Sequence, residues 1–180
     1  MRVFDDGTFE LLGETAEAAA LPRQAPHMAG RAVGALALGR RFERVVIFPE
    51  PKWEPPNLSF SQIVYGEDAA AYADWELAIC ALCGPAAEAR FTGLPFDDVL
   101  QICDGTLMEA SDHFGFDEHH WDDKPWDAAK AAAQQLIDKH WPVVTRLAEV
   151  LLKRRSHSLT YHQAVGLVGE LPIFARSCPW

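Results

Sequence analysis

The sequence predicts an α+β protein that is mainly helical, with a small sheet and a helical bundle towards its C-terminal end. About half of its 180 residues are hydrophobic, which suits one compact domain. Several long segments place their apolar residues at helical spacing, whereas the stretch "FERVVIFPEP" is typical of a strand. Runs of helix with little strand favour the α+β class.

The first part of the chain predicts a hairpin followed by a helix. Within residues 1–13 an Asp-Gly pair stands between apolar-rich flanks, which favours a short hairpin. Pro26 is suited to the first turn of a helix. This helix should run to about Leu38 and stop at Gly39.

In the next segment, prolines are expected to end a strand and to form a loop. The strand "FERVVIFPEP" should be ended by Pro49 and Pro51, because proline cannot donate to a sheet ladder. Residues 50–66 hold several prolines and little periodicity, which predicts a stiff connecting loop. Trp53 in this loop leaves open a second interpretation, a lip that binds substrate or peptide.

Two helices are expected in the middle of the chain. The first covers about 68–90, and Pro85 should kink or divide it after Gly84. The second covers about 96–110. A polar loop with many acids and histidines follows it.

The last third of the sequence has the strongest helical periodicity. Pro125 opens a long helical stretch, which Pro142 should kink or divide. Thr160 and Gln163 have the spacing of a capping box, which predicts a last short helix. The predicted core face of the long stretch consists of Trp126, Ala129, Ala133, Leu136, His140, Val144, Leu147 and Leu151.

The formal net charge of -10 argues against a nucleic-acid partner, because such a surface repels phosphate backbones. No apolar run reaches the roughly 18 residues of a membrane span, and we expect no membrane association. The segment "MRVFDDGTFELLGE" has acids where a signal peptide would be apolar. We therefore expect a cytoplasmic protein; its oligomeric state stays open.

The chain has four cysteines, which in a cytoplasmic protein do not suggest a disulfide framework. Cys80 and Cys83 form a C-x-x-C inside an apolar helical run, with no second C-x-x-C to complete a zinc site. We interpret them as two small buried side chains on one helix face. A redox or metal role is the alternative.

The stretch "HMAGRAVGALALG" places His27 and Arg31 four residues apart, on one face of a helix. An H-E-x-x-H helix uses this spacing to hold zinc with two histidines, and its glutamate activates the bound water. Here Met28 cannot take a proton, and Arg31 cannot ligate a cation. Taken alone, the motif is a weak signal, because a lone histidine on an apolar helix is usually a core or capping histidine.

The same stretch resembles the H-E-A-G-H-A-V helix of the FtsH-like zinc metalloproteases. The matching residues are His27, Ala29, Gly30, Ala32 and Val33. The segment "RFERVVIFP" stands where this family has the strand that follows its active helix.

Later segments continue the resemblance, which covers about residues 27–168. "LCGPAAEARFTG" is similar to the A-G-x-A-A-E helix end of the family, and "VVTRLAEVLLKRRSHSLTYHQAVGLV" to its closing helices. "SDH" stands where the family carries an aspartate as third zinc ligand, and Asp112 is the matching residue. In the first of these segments the matching residues are Gly84, Ala86, Ala87, Glu88 and Gly93.

The resemblance implies a zincin-like peptidase domain over residues 26–172. Residues 1–25 would form an N-terminal hairpin or extension, and 173–180 a C-terminal tail. It also implies a degenerate active site, made of His27, Met28, Arg31 and Asp112. No P-loop of the ATPase module of full-length family members is present in the sequence.

This degenerate site suggests a hypothesis about charge. Zinc supplies positive charge between the helix and the incoming aspartate, and Arg31 stands where the second histidine would be. We expect an ion pair between Arg31 and Asp112 to replace the metal as a structural clasp. The alternative is an Arg31 that extends to solvent.

The loop "SDHFGFDEHHWDD" could hold a divalent metal without the lost helix site. Its histidines are His113, His119 and His120, and residues 111–128 contain six acids and one lysine. A solvated acidic loop is the simpler interpretation. Its aromatic side chains suggest that one edge packs on the core or on a partner.

The sequence therefore predicts a catalytically degenerate metallopeptidase-like domain that works by binding a protein or peptide partner or by regulation. No cofactor and no bound metal are expected. The alternative is an active metal-dependent peptidase with a rebuilt zinc site. That site would use His27, Asp112 and one of His113, His119 and His120, with Asp117 or Glu118 as the base.

Overall fold

The computed structural model describes residues 2–3, 9–10, 16–54, 57–66, 73–103 and 123–173. The helices are α1 (Ala16–Ala37), α2 (Asp74–Thr92), α3 (Phe96–Ile102), α4 (Asp123–Lys139), α5 (Trp141–Lys153) and α6 (Tyr161–Val168). The strands are β1 (Arg2–Val3), β2 (Phe9–Glu10), β3 (Arg44–Glu54), β4 (Asn57–Val64) and β5 (Ser158–Thr160). The predicted α+β class, mainly helical with a small sheet, is confirmed.

Helix α1 lies at the centre of the fold, packed against α2, α5 and the strands β3 and β4. Its start was predicted wrongly, because the helix begins at Ala16 and contains both Pro22 and Pro26. The alanine-rich segment before these prolines favours helix, and burial of the following turns offsets the missing N–H groups. Its end was predicted correctly, since Gly39 has a positive φ of 70°.

Small residues allow α1 and α2 to approach closely. A Cβ atom on Gly30 would lie 2.6 Å from the Cβ of Ala87, and one on Gly34 would lie 2.9 Å from the Sγ of Cys83. Cys80 and Cys83 are fully buried, which confirms their interpretation as small buried side chains. Burial raises the pKa of Cys83 well above its ordinary value, so this thiol stays protonated.

Helix α2 runs without a break through Pro85, so the predicted division after Gly84 is wrong. Pro85 is buried, and its packing offsets the lost hydrogen bond. The first turn carries Glu76, which accepts a hydrogen bond of 2.9 Å from the backbone N–H of Ala73 and pairs with Arg40. These contacts fix the start of α2 next to the end of α1.

Helix α3 is shorter than expected. It ends at Ile102, where the backbone N–H of Cys103 bonds to the carbonyl groups of Val99 and Leu100. The predicted continuation covers residues 104–110, which lie outside the described residues. The end of α3 places Cys103 next to α2, where the candidate site is found.

The sheet has the order β4-β3-β5, with both neighbouring pairs antiparallel. Residues 50–66 were predicted as a loop, and this was wrong, because β3 continues through Pro49 and Pro51 and pairs with β4. The pairing shifts register between Ile47 and Lys52. The prolines lie in this irregular stretch, where an absent N–H does not interrupt the ladder.

The N-terminal hairpin is confirmed at its two strands. Val3 is paired with Phe9 and Arg2 with Glu10, in antiparallel register. The intervening residues 4–8 lie outside the described ranges. The boundary predicted after residue 25 lies inside α1.

The helices after residue 122 follow the predicted pattern. Pro142 stands in the first turn of α5, and α4 ends just before it at Lys139, so the predicted division is confirmed. All eight residues of the predicted core face are buried. Thr160 caps α6 by accepting a hydrogen bond of 3.3 Å from the backbone N–H of Gln163, which confirms the capping box.

Among the described helices, no single one has both the length and the apolar composition needed to cross a bilayer. In the described part of the chain, one pair, α2 and α3 taken together, meets these two criteria, and its helices join at a bend of 119°.

Candidate functional site

The centre of α1 and the second half of α2 bring a histidine and a carboxylate together inside the protein. Nδ1 of His27 lies 3.2 Å from Oε2 of Glu88. His27 is 5% exposed and Glu88 is 2% exposed. A buried carboxylate of this kind needs partners, and the neighbouring side chains supply them.

Arg23 is the second partner of the carboxylate. Its Nε and Nη2 atoms donate hydrogen bonds of 2.9 and 2.5 Å to Oε1 of Glu88. Arg23 stands four residues before His27, so both side chains leave the same face of α1. The two oxygens of Glu88 therefore have different roles: Oε1 binds the guanidinium, and Oε2 faces the imidazole.

These contacts keep Glu88 ionised. Burial alone would raise its pKa, but the hydrogen bond to His27 and the charges of His27 and Arg23 together lower the pKa below its ordinary value. An ionised carboxylate only accepts hydrogen bonds. Nδ1 of His27 is therefore the donor, and the proton of a neutral ring is on this nitrogen.

Cys103 completes the cluster from the end of α3. Its Sγ lies 3.7 Å from Oε2 of Glu88. Burial and the charge of Glu88 raise the pKa of Cys103 to about 12. The thiol is therefore a protonated donor to the carboxylate, with no nucleophilic character in this state.

Gly84 on α2 makes room for this cluster. A Cβ atom at Gly84 would lie 2.6 Å from Nε2 of His27 and 3.0 Å from Cγ of Arg31. The imidazole and the stem of the arginine thus pass directly over the glycine backbone. Any side chain at this position would push both of them away from α2.

Met28 and Arg31, the predicted replacements for the base and the second histidine, are both buried. Met28 is fully buried in the apolar core, and Arg31 is 7% exposed. The alternative in which Arg31 extends to solvent is therefore wrong. Arg31 is not without a partner, but Asp112 lies outside the described residues, so the clasp between them stays a prediction.

Apart from Asp123, which begins α4, the acidic loop also lies outside the described residues. This applies to its three histidines, His113, His119 and His120, and to Asp117 and Glu118. The rebuilt zinc site that would use these residues therefore stays a prediction.

Within the described residues, His27, Glu88 and Cys103 form a group whose candidate ligand atoms all lie within 4.8 Å of one another. Sequence reasoning singled out His27, matched Glu88 only as part of a motif, and gave Cys103 no role. One signal was available: Glu88 is an acid within the apolar run "LCGPAAEA" of α2. No sequence signal connects Cys103 to the site.

A shallow groove of about 190 Å³ lies on the outside of the same helices. Its lining is mainly apolar and comes from α1, the end of α2, and α5. Phe91 is 52% exposed and Leu152 is 39% exposed at this groove.

The chain matches no protein-family model and no curated protein. The similarity to FtsH-like metalloproteases therefore remains a prediction from the motifs.

Proposed function

We propose that this chain is a zincin-like, FtsH-related peptidase domain that has lost hydrolysis and acts by binding a protein or peptide. One observation carries the proposal. The face of α1 that would hold two zinc ligands and a base presents His27, a fully buried Met28 and a buried Arg31. Hydrolysis by the family's mechanism needs the base and the second histidine.

The partners of His27 support the same conclusion. Its Nδ1 is committed to Glu88, whose second oxygen is bound by Arg23. This network satisfies a buried imidazole without a catalytic partner. Loss of a general base alone lowers the rate of such a reaction by about 10²–10⁴-fold.

The apolar groove along α1, α2 and α5 supports binding as the remaining activity. Phe91 and Leu152 are exposed there, and large exposed apolar side chains that lie together favour contact with another protein. A partner segment with apolar side chains would bury both.

Restoration of the lost residues tests the proposed ancestry. In a Cys103→Ser background, Met28→Glu combined with Arg31→His should create a zinc site with His27 and Asp112. We expect about one zinc ion per folded chain, measured by metal analysis after dialysis. The matched control is Arg31→Met in the same background, which should gain no zinc.

Circular dichroism separates misfolding from a failed prediction, since Met28→Glu places a carboxylate in a buried position. Arg31→His alone is the second variant, because it supplies both histidines without that cost. If both variants fold and neither binds zinc above the Arg31→Met control, the proposed relation to the peptidase family is wrong.

A further inference from the structure

We propose that His27, Glu88 and Cys103 form a zinc site that is structural or regulatory and that shares only His27 with the family's H-E-x-x-H ligands. The three residues come from α1, α2 and the end of α3. Their ligand atoms lie within 4.8 Å of one another. Imidazole, carboxylate and thiolate are the side-chain types that zinc accepts together.

Two of the three ligand separations are close to those around a tetrahedral zinc ion. Zinc bond lengths of about 2.0–2.3 Å imply about 3.3 Å between a nitrogen and an oxygen ligand, and about 3.5 Å between an oxygen and a sulfur ligand. The structure has 3.2 Å from Nδ1 of His27 to Oε2 of Glu88. It has 3.7 Å from that oxygen to Sγ of Cys103. Two edges of the coordination tetrahedron are therefore already present.

Arg23 has the position of a residue that orients a ligand. It contacts Oε1 of Glu88 and leaves Oε2 directed at the other two groups. Hydrogen bonds of this kind fix the orientation of ligating carboxylates. The guanidinium also keeps the carboxylate ionised, which is the state that binds a cation.

Binding requires one proton to leave. The imidazole proton moves from Nδ1 to Nε2, the Cys103 thiol loses its proton to solvent, and three bonds to the ion form. No oxidation or reduction takes place. Water or a further side chain completes the fourth position.

Such an ion would act without hydrolysis. The residue after His27 is Met28, so the family's general base is missing beside the ion. Its effect would be to join three helices at one point. A ligand that binds only the folded state raises the unfolding temperature.

Cobalt(II) tests this proposal because it replaces zinc and reports on sulfur ligation. Titration of the full chain should give a thiolate-to-cobalt charge-transfer band that saturates at one ion per chain. Cys103→Ser should abolish the band and lower the affinity for zinc by more than about 10-fold. Even the loss of a residue that only contacts a metal ligand lowers metal affinity by about 10–100-fold. The matched control is Cys80→Ala, another buried thiol on a neighbouring helix, which should retain the band.

Thermal unfolding provides a second measurement that does not depend on cobalt. Zinc should raise the melting temperature of the wild type and of Cys80→Ala, but not that of Cys103→Ser or Glu88→Gln. If Glu88→Gln fails to fold, Cys103→Ser still decides the question, because Cys103 is partly exposed and serine is nearly isosteric.

Two results would overturn the zinc site: a wild type that binds no cobalt, or a charge-transfer band that persists in Cys103→Ser. Either result would leave the proposed loss of peptidase activity untouched. Conversely, peptide cleavage by the zinc-loaded protein would contradict the proposed function but would not contradict the proposed zinc site.

Discussion

His27 on α1 and Glu88 on α2 stand 61 residues apart in the sequence and meet through a hydrogen bond of 3.2 Å at the centre of the protein. Both side chains are buried, and Arg23 binds the other oxygen of the Glu88 carboxylate. Helices that share a buried polar contact cannot slide past each other without leaving a charge unpaired. This contact therefore sets the register in which α1 packs on α2.

Glu88→Gln tests how much this contact contributes to the free energy of unfolding. The substitution keeps the volume but removes the charge that binds both Arg23 and His27. We expect the free energy of unfolding to fall by about 1–3 kcal/mol. Denaturant titration with circular dichroism measures this change.

The control for Glu88→Gln is Glu149→Gln. Glu149 is exposed and forms an ion pair with Lys153, one turn further along α5. Exposed pairs of this kind contribute about 0.3–0.5 kcal/mol. If the two substitutions lower the free energy of unfolding equally, the buried contact of Glu88 contributes no more to stability than an exposed ion pair does.

The pH dependence of stability should change with the same residue. The pKa of Glu88 is lower in the folded protein than in the unfolded chain, where glutamate titrates near about 4.3. Its stabilising effect is therefore complete above that pH and is lost as the pH falls through the lowered folded value. Denaturant titrations of wild type and Glu88→Gln between about pH 6 and pH 3 measure the difference.

That difference in unfolding free energy should be largest at the upper end of this range and should shrink in acid. A difference that stays constant, or that grows as the pH falls, would mean that the carboxylate is not ionised in the folded state.

Gly84→Ala should be destabilising, although alanine is the better helix former. Its methyl group would lie 2.6 Å from Nε2 of His27. Overpacking of this kind costs about 1–3 kcal/mol. Gly166→Ala in α6 is the control, because a Cβ atom there meets no atom within 4 Å.

Thermal unfolding compares the two substitutions directly. Gly166→Ala should leave the melting temperature unchanged or raise it, since alanine is favoured in helices by about 1 kcal/mol. If Gly84→Ala is equally harmless, His27 does not pack directly over Gly84 in the folded protein.

A double-mutant cycle tests the predicted clasp between Arg31 and Asp112. Arg31→Met keeps the apolar stem, and Asp112→Asn keeps the shape of the side chain. Buried partners should show a coupling energy of about 0.5–3 kcal/mol in denaturant titrations. If the two effects add, the positive charge of Arg31 is balanced by another group.

Periodic segments of the sequence predicted the fold well, and prolines caused the errors. The core face of α4 and α5 was predicted residue by residue, because its helical spacing is strong and Pro142 stands in a first turn. Pro26 was predicted to start a helix, Pro49 to end a strand, and Pro85 to kink or divide a helix. All three lie inside an element. Pro26 and Pro85 are buried, and there local preference yields to tertiary packing, whereas Pro49 stands where the pairing of β3 with β4 shifts register.

The candidate site shows the corresponding limit of sequence reasoning. His27 could be identified because its helix carries a recognisable pattern. Its partners Glu88 and Cys103 stand on other helices, and their meeting depends on how closely α1 approaches α2. That approach is set by glycines such as Gly30 and Gly84, whose role appears only when the helices are packed.

Peptide hydrolysis by the zinc-saturated protein tests the central claim most directly. Casein and a fluorogenic peptide mixture are incubated with wild type and with His27→Ala, each with and without a chelator. The account predicts the same background rate in all four samples, because Met28 and Arg31 replace the base and the second zinc ligand. Cleavage by the wild type that the chelator abolishes, and that His27→Ala lacks, would contradict it.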